Sequence, residues 1–241
     1  LGRMLRPRRT HAQPWAAEPP SMPAPLSQLL RREGLVASSA RRITTRPGRG
    51  SARQTFRLVL SDGRLLKGRL SHREGITERM QRWLPLLPAD RFARLLAADG
   101  RASLENWCRG PAARADDRAT IETAGEMLGA LHGLIDLEVV EDHDDRWLAW
   151  CQRLDGWIEE LSAAGRLRDP EGVRARLAAT HPARATWGLK HGDFCLENLV
   201  VGEGGLCCID NVTVAPGLLQ ADLAKTLYRW SMTDEHREVF L

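Results

Sequence analysis

The sequence predicts an α+β fold in which a small antiparallel sheet near the amino terminus precedes a larger, mainly helical part. Two apolar segments, residues 55–60 and 64–70, flank the pair Asp62-Gly63, and this arrangement is a strong signal for a β-hairpin. From residue 119 onward, apolar residues instead recur at helical spacing. With 241 residues, of which 43% are apolar, the chain is long enough for two lobes that each have a core.

Other predicted elements of the smaller lobe surround this hairpin. Residues 1–25 form an Arg- and Pro-rich arm, and residues 26–105 are predicted to form the lobe itself. The lobe starts with a short helix over residues 27–35, because the apolar residues there have helical spacing and a glycine follows. Residues 41–53 are predicted to supply a further strand and a flexible loop, and residues 77–87 a helix with an apolar face.

The larger lobe is predicted to span residues 106–241. At the junction, residues 94–110 are expected to contain a strand and the hinge between the lobes. Helical patterns follow over residues 119–134, 145–167 and 171–179. The tryptophans of the second pattern are interpreted as core residues, namely Trp147, Trp150 and Trp157.

The net charge of +4 is unevenly distributed along the chain. Residues 1–53 contain eleven Arg and two Glu, a net charge of +9, so the remainder carries −5. A basic arm can bind nucleic acid, but here the Arg residues are scattered among Pro and Ala. We therefore interpret most of the arm as a disordered or extraneous extension. Nucleic-acid binding through the arm stays open as an alternative function.

The sequence also bears on the cellular compartment. It contains no run of about 18 apolar residues, the length that a membrane-spanning helix needs. The arm lacks the apolar core of a signal peptide. The five cysteines include no CxxC pair and are interpreted as reduced thiols. These features predict a cytoplasmic protein without a membrane span.

Residues 191–211, HGDFCLENLVVGEGGLCCIDN, contain the side chains with the clearest chemical meaning. Asn198 follows Asp193 by five positions, and Asp210 comes twelve positions later, after an apolar strand. An Asp at the first position can accept or orient the proton of a substrate hydroxyl, while an amide and a second carboxylate hold a divalent cation. This order is typical of phosphoryl transfer from a nucleoside triphosphate.

Three motifs in this order, HGDFCLENLVV, CIDN and QADLAKTLYRW, resemble the aminoglycoside phosphotransferase family of small-molecule kinases. The resemblance implies a two-lobed, protein-kinase-like fold, ATP or GTP as phosphate donor, Mg²⁺ as cofactor, and a small molecule with a hydroxyl group as acceptor. It implies that Asp193 is the catalytic base and that Asn198 and Asp210 bind the metal. Asn211 departs from the family, which often has an aromatic residue at this position.

The resemblance also assigns residues to nucleotide binding. Lys67 lies on the strand where such a lobe places its phosphate-binding lysine, and Glu78 is expected to form an ion pair with it, with Glu74 as the other candidate.

Two further segments are expected to contact the nucleotide. The loop containing Gly48, Gly50 and Ser51 is expected to cover the phosphates with backbone N–H groups. Backbone groups from Leu104 to Asn106 are expected to meet the adenine edge.

Asp222 is expected to brace the catalytic loop, to cap the following helix, or both.

The acceptor is predicted from charge alone. Acidic residues cluster within residues 139–147, and Glu159 and Glu160 follow on the next helix. They are consistent with a cationic acceptor such as an aminoglycoside or an amino alcohol, and also with an acidic helix start stabilised by the helix dipole. A sugar-like acceptor is a further candidate. A catalytically inactive nucleotide-binding module with the same fold stays open as an alternative.

Overall fold

The computed structural model describes residues 22–43, 54–71, 73, 75–230 and 232–241. The described chain has the predicted α+β architecture, with an antiparallel sheet and two helices in its first part and a mainly helical second part.

The first part is organised around a five-stranded antiparallel sheet. Its strands are β1 (Ala37–Ile43), β2 (Gln54–Leu60), β3 (Leu65–Leu70), β4 (Leu95–Asp99) and β5 (Ala102–Asn106). They lie side by side in the order β1-β2-β3-β5-β4. The predicted hairpin is confirmed: β2 and β3 pair antiparallel, and the turn places Gly63 at φ 83°, a left-handed conformation that favours glycine.

Helices α1 (Ala24–Arg32) and α2 (Ile76–Trp83) accompany this sheet. Helix α1 buries three leucines against the sheet and begins inside the segment that was predicted to belong to the arm. Helix α2 ends earlier than predicted and continues as a 3₁₀ turn, Leu84–Leu86. Pro85 explains this end, because it lacks the N–H group that would continue the α-helical hydrogen bonds.

The second part combines helices with short strands. Its helices are α3 (Arg118–His132), α4 (Asp145–Ala163), α5 (Pro170–Ala179), α6 (Leu219–Arg229) and α7 (Asp234–Phe240). Its strands are β6 (Glu138–Glu141), β7 (Arg184–Lys190), β8 (Leu199–Gly202), β9 (Gly205–Cys208) and β10 (Ala215–Leu218). Strands β10, β7 and β6 form a three-stranded sheet in that order, and β8 and β9 form a hairpin.

The largest apolar core joins α3, α7 and the β8–β9 region, with Trp230 and Phe194 among its fully buried members. The predicted core role is confirmed for Trp147, which is 6% exposed. It is wrong for Trp157, which is 46% exposed, because its neighbour Ile158 occupies the inward face of α4. Within the described residues, no helix has the length and apolar character needed to cross a membrane.

Candidate functional site

The 191–198 loop joins β7 to β8 next to the first sheet, and Asp210 follows β9. The β8–β9 hairpin brings the two segments together, because the backbone N–H of Ile209 donates to the carbonyl oxygen of Asn198 at 2.8 Å. Asn198 and Asp210, twelve positions apart in sequence, therefore lie at the same end of the hairpin.

Asp222 holds the start of this loop. Its buried carboxylate accepts hydrogen bonds from the backbone N–H groups of His191, at 2.8 Å, and Gly192, at 2.7 Å. Burial opposes ionisation of Asp222, but these bonds and a 3.2 Å contact with His132 Nε2 outweigh it, so its pKa is lowered. Asp222 lies within α6, which begins at Leu219, so the expected bracing is present and the alternative capping role is not.

His191 links the loop to the residue after Asp210. The backbone N–H of Asp193 donates to Nδ1 at 3.3 Å, so the proton of the neutral ring is on Nε2, which donates to Oδ1 of Asn211 at 3.0 Å. Burial lowers the pKa of His191, and the imidazole is fully inaccessible. His191 therefore shapes the loop and does not reach a substrate.

The carboxylate of Asp193 is partly exposed and faces cations from α6. Its Oδ1 lies 3.1 Å from Nζ of Lys225 and 3.3 Å from Nη1 of Arg229. These residues are four positions apart and therefore share one face of the helix. On the other side, Nδ2 of Asn198 lies 3.4 Å from Oδ2 of Asp193. Sequence reasoning missed Lys225 and Arg229, although their helical spacing within the third motif was visible.

Asp210 has an unusual backbone. Its φ of 75° makes it the one non-glycine residue with positive φ in the described chain. Asp tolerates this left-handed conformation better than most residues, at a cost of about 1 kcal/mol. The conformation directs the carboxylate toward the sheet, where Arg69 donates a short hydrogen bond to it and Lys67 Nζ lies 3.8 Å away.

A buried network of charges faces Asp210 from the sheet. Lys67 on β3 is directly opposite Glu105 on β5, and their charged atoms lie 3.7 Å apart. Arg69 follows Lys67 by two positions, so it points to the same face, and its Nε lies 3.5 Å from Glu105 Oε1. Arg69 and Glu105 are almost completely buried. Neither was predicted as a site residue, although the Lys-x-Arg alternation on a strand was a usable signal.

The expected ion pair between Lys67 and Glu78 is wrong. Glu78 is exposed in the first turn of α2, and its carboxylate turns back toward Gly75 at the helix start. The inward face of α2 carries Thr77 and Met80 instead. The other candidate, Glu74, lies outside the described residues.

Two other segments, the loop of residues 48–51 and residues 104–106, were expected to contact the nucleotide. Gly48, Gly50 and Ser51 lie outside the described residues. Leu104 is fully buried and pairs with both neighbouring strands, so its backbone groups are used within the sheet. Asn106, at the end of β5, lines the first cavity described below. The hinge expected within residues 94–110 stays a prediction.

A cavity of about 200 Å³, here called the first cavity, contains most of these residues. It lies between the sheet and the 191–198 loop, and its lining is Ile43, Thr55, Lys67, Arg69, Ala93, Asn106, Trp107, Cys108, Glu197, Asn198, Ile209 and Asp210. Its lining combines apolar side chains with two cationic side chains and with Asn198 and Asp210. A flat apolar ring and a polyanionic chain would match the apolar and the cationic lining residues.

The residues present fit a magnesium ion. Asp210 is 26% exposed toward the first cavity and offers a carboxylate, and Asn198 offers an amide oxygen. Mg²⁺ commonly binds one or two carboxylates together with substrate phosphates and water. Within the described residues, no group of three His, Cys, Asp or Glu side chains could hold a metal, so phosphate oxygens would have to complete the ligand set.

A second cavity, of about 360 Å³, borders the start of the 191–198 loop at Lys190 and Gly192. Its lining is Arg146, Ala149, Trp150, Arg153, Trp157, Trp187, Lys190, Gly192, Pro216, Gly217, Leu218, Ala221, Asp222 and Lys225. Asp193 lies between the two cavities, because it contacts Asn198 from the first and Lys225 from the second.

The acidic residues expected to bind the acceptor are not in this lining. Glu141 forms an ion pair with Arg184, and Glu159 with Arg174. Asp144 accepts a hydrogen bond from the backbone N–H of Arg146 and so caps α4. Asp144 therefore stabilises the start of α4, where a carboxylate interacts favourably with the helix dipole.

Comparison with known sequences gives one family. Residues 44–239 match the profile of the phosphotransferase enzyme family, abbreviated APH. Among curated protein sequences, none is significantly similar to this chain.

Solved structures with this fold include several kinases of small molecules. The apoenzyme of macrolide 2′-phosphotransferase MphH from Brachybacterium faecium superposes with a TM-score of 0.62 at 17% identity, covering 89% of this chain and 79% of that one. Aminoglycoside-3′-phosphotransferase of type VIII gives 0.58 at 19% identity and 90% coverage of both chains. The streptomycin–ATP–APH(2″)-IIa ternary complex gives 0.51 at 12% identity, covering 85% of this chain and 81% of that one. These similarities show that the fold is protein-kinase-like.

Proposed function

This chain belongs to the phosphotransferase enzyme family and is thus a small-molecule phosphotransferase, and we propose that it transfers the γ-phosphate of ATP or GTP to an acceptor. The acceptor hydroxyl would be bound next to the carboxylate of Asp193. The observation that carries the proposal is the position of Asp193 between two cavities of different chemistry. A donor in the first cavity and an acceptor in the second would meet at its carboxylate.

The first cavity suits a nucleoside triphosphate. The apolar residues of its lining, among them Ile43 and Ile209, would contact the base, and Lys67 would neutralise charge on the phosphates. ATP is present in the complex of one structural neighbour, which supports the same donor here. Asn198 and Asp210 would hold Mg²⁺, whose contribution when bound is to neutralise charge on the phosphate oxygens.

Asp193 would act on the acceptor. Its carboxylate would accept the hydroxyl proton or orient the hydroxyl toward the γ-phosphate, since phosphoryl transfer depends mainly on alignment and charge stabilisation. Lys225 and Arg229 would hold this carboxylate in position through their ion pairs and add positive charge where the transferred group passes. Asp222 and His191 would fix the loop that carries it.

The acceptor belongs to the small molecules with hydroxyl groups. Structural neighbours act on macrolides or aminoglycosides, as their names state. For this chain, an amine-bearing acceptor would need acidic side chains around the second cavity. Its one lining carboxylate, Asp222, is already engaged with the loop backbone.

Substitution of Asp193 by Asn tests the proposal. Nucleoside diphosphate release would be followed over a panel of aminoglycosides, amino alcohols, sugars and hydroxy acids. We expect the variant to lose about 10²–10⁴-fold of the turnover, which is the usual contribution of general base catalysis. Calorimetry should show unchanged nucleotide binding. Asp116→Asn, a matched change at an exposed residue away from both cavities, should behave like the wild type.

Comparable turnover in Asp193→Asn would contradict the proposed role. If both the wild type and the variant bind nucleotide and neither releases diphosphate with any acceptor, the alternative of a catalytically inactive nucleotide-binding module would be favoured.

A further inference from the structure

The second cavity is strongly basic. Four cationic side chains line it, namely Arg146, Arg153, Lys190 and Lys225. The one carboxylate in the lining, Asp222, accepts hydrogen bonds from two backbone N–H groups of the 191–198 loop. The cavity beside Asp193 therefore presents an excess of positive charge to whatever enters it.

Two of these cations have their charge balanced by protein groups and two do not. Arg146 forms ion pairs with Glu138, at 2.6 Å, and Asp144, at 2.9 Å, and Lys225 pairs with Asp193. Within the described residues, Lys190 and Arg153 form no ion pair or side-chain hydrogen bond. The pair is thus available to a ligand from the cavity.

Lys190 is partly buried near other cations, and both features disfavour its charged form. It ends β7 immediately before the 191–198 loop, and the pocket wall at Gly217 packs against its aliphatic stem. Burial lowers its pKa; Asp222 opposes this effect, while Lys225, Arg153 and Arg79 lower the pKa further. An anion bound in the cavity would offset the repulsion among these cations.

The remaining wall is aromatic. Trp150 and Trp157 meet edge to face with ring centroids 5.7 Å apart, and Trp157 is 46% exposed. Trp187 lies under the guanidinium of Arg146, which is 5.1 Å from its ring centroid. Exposed aromatic faces favour a flat or apolar ligand body, and a volume of about 360 Å³ is within the range of small-molecule sites.

From this arrangement we propose that the acceptor carries an anionic group, bound by Lys190 and Arg153, on a flat, apolar body that contacts the tryptophans. The acceptor hydroxyl then lies toward Asp193. This inference rests on the proposed function, and it replaces the cationic acceptor suggested by the acidic cluster with an acidic one, of the class of aromatic or alicyclic hydroxy acids.

A matched panel of ligands tests the inference. Hydroxymethyl-substituted ring compounds would each be prepared as the carboxylate, the neutral amide and the amine, and binding to the full chain would be titrated by ligand-observed NMR. We expect each carboxylate to bind at least about tenfold more tightly than its amine, the effect of one charge-assisted hydrogen bond. Arg153→Glu, at an exposed position, should abolish or reverse this preference.

Arg168→Glu is the matched control, because it makes the same charge change at an exposed residue outside the lining. It should leave the preference unchanged. Equal or tighter binding of the amines, binding of none of the compounds, or a carboxylate preference that survives Arg153→Glu would overturn the inference. Binding needs no turnover, so a carboxylate preference without diphosphate release would contradict the proposed transfer while leaving the assignment of the cavity's ligand intact.

Discussion

Arg69 on the sheet donates a hydrogen bond to the carboxylate of Asp210, a residue 141 positions later in the chain. Arg69 also contacts Glu105 on the neighbouring strand of the sheet, so its guanidinium links both strands to the residue that follows the β8–β9 hairpin. The three side chains form a buried charge network in which each member depends on the others for solvation. Arg69 therefore fixes where Asp210 lies relative to Lys67.

Arg69→Met is expected to destabilise the protein by about 3–5 kcal/mol, because it leaves the buried carboxylate of Glu105 with Lys67 as its one ion-pair partner within the described residues. Urea denaturation would measure the loss. The double variant Arg69→Met/Glu105→Leu should recover most of it, since an apolar pair can replace a buried ion pair. Arg64→Met, at an exposed surface pair, should cost no more than about 1 kcal/mol. Equal effects of the two single variants would contradict the network's role.

Asp222→Asn is expected to reduce turnover while nucleotide affinity is retained. Asn offers one carbonyl oxygen, so it can accept from only one of the N–H groups of His191 and Gly192, and the loop that carries Asp193 loses its fixed geometry. The expected cost in stability is about 1.5–3 kcal/mol, the value of a hydrogen bond to a charged group. Steady-state kinetics and calorimetry would separate the two effects.

The exposed Asp234 provides the control for this prediction. Asp234→Asn should leave both turnover and unfolding unchanged. Loss of nucleotide binding in Asp222→Asn, with turnover per bound nucleotide preserved, would show that the carboxylate supports the first cavity instead of the loop.

The sequence predicted the parts of the site that depend on local spacing. Asp193, Asn198 and Asp210 belong to one continuous segment, so their order along the chain was enough to propose that they act together. Their roles as base and metal ligands remain predictions. The hairpin around Gly63 was predicted for the same local reason.

The network of Arg69 and Glu105 could not be derived in this way. Its geometry depends on the register between β3 and β5, which places Lys67 opposite Glu105, a residue 38 positions later in the chain. No common motif contains both residues. The strands β6, β7 and β10 were also missed, because each is short or carries polar residues, and they are stabilised by pairing with one another.

The concentration of positive charge in the second cavity also could not be predicted from the sequence. Lys190 precedes the 191–198 loop, whereas Arg153 lies on α4, so only the folded chain brings the two cations together. The acidic cluster was conspicuous in the sequence because its members lie within a few positions of one another. In the structure these residues pair largely with Arg184, Arg146 and neighbouring groups.

We expect the free energy of unfolding to fall as the pH is lowered, because the buried imidazole of His191 takes up a proton more readily in the unfolded chain. Burial lowers the pKa of this imidazole below its ordinary value of 6.5. The hydrogen bond to Asn211 and the charges of three aspartates, Asp222, Asp193 and Asp210, oppose this shift without cancelling it. The unfolded chain binds the proton more readily than the folded protein. The contribution to the free energy of unfolding is therefore present above pH 6.5 and is lost as the pH falls through the folded pKa.

Urea denaturation between about pH 7.5 and pH 5 would show this loss, with a slope of up to about 1.4 kcal/mol per pH unit for one proton. His191→Gln should flatten the difference, because Gln does not titrate and can still donate to Asn211. Other titrating groups contribute equally to both proteins. Identical pH dependence of the wild type and the variant would contradict the assignment.

Cys108 is expected to be the first thiol modified by iodoacetamide. A hydrogen bond from Cys207, whose sulfur lies 2.6 Å away, lowers the pKa of Cys108, whereas burial raises the pKa of Cys195 to about 11 and that of Cys208 well above its usual value. Cys108 also lines the first cavity, so ATP with Mg²⁺ should slow its modification. Peptide mapping by mass spectrometry would identify the labelled thiol.

Two variants complete this test. Cys108→Ser should abolish the rapid, nucleotide-protected labelling, and Cys151→Ser should leave it unchanged, because Cys151 lies on α4 and burial raises its pKa. Faster labelling of Cys195 would show that the 191–198 loop opens to solvent more readily than its buried contacts indicate. Labelling of Cys108 at the same rate with and without nucleotide would place the base away from residues 106–108.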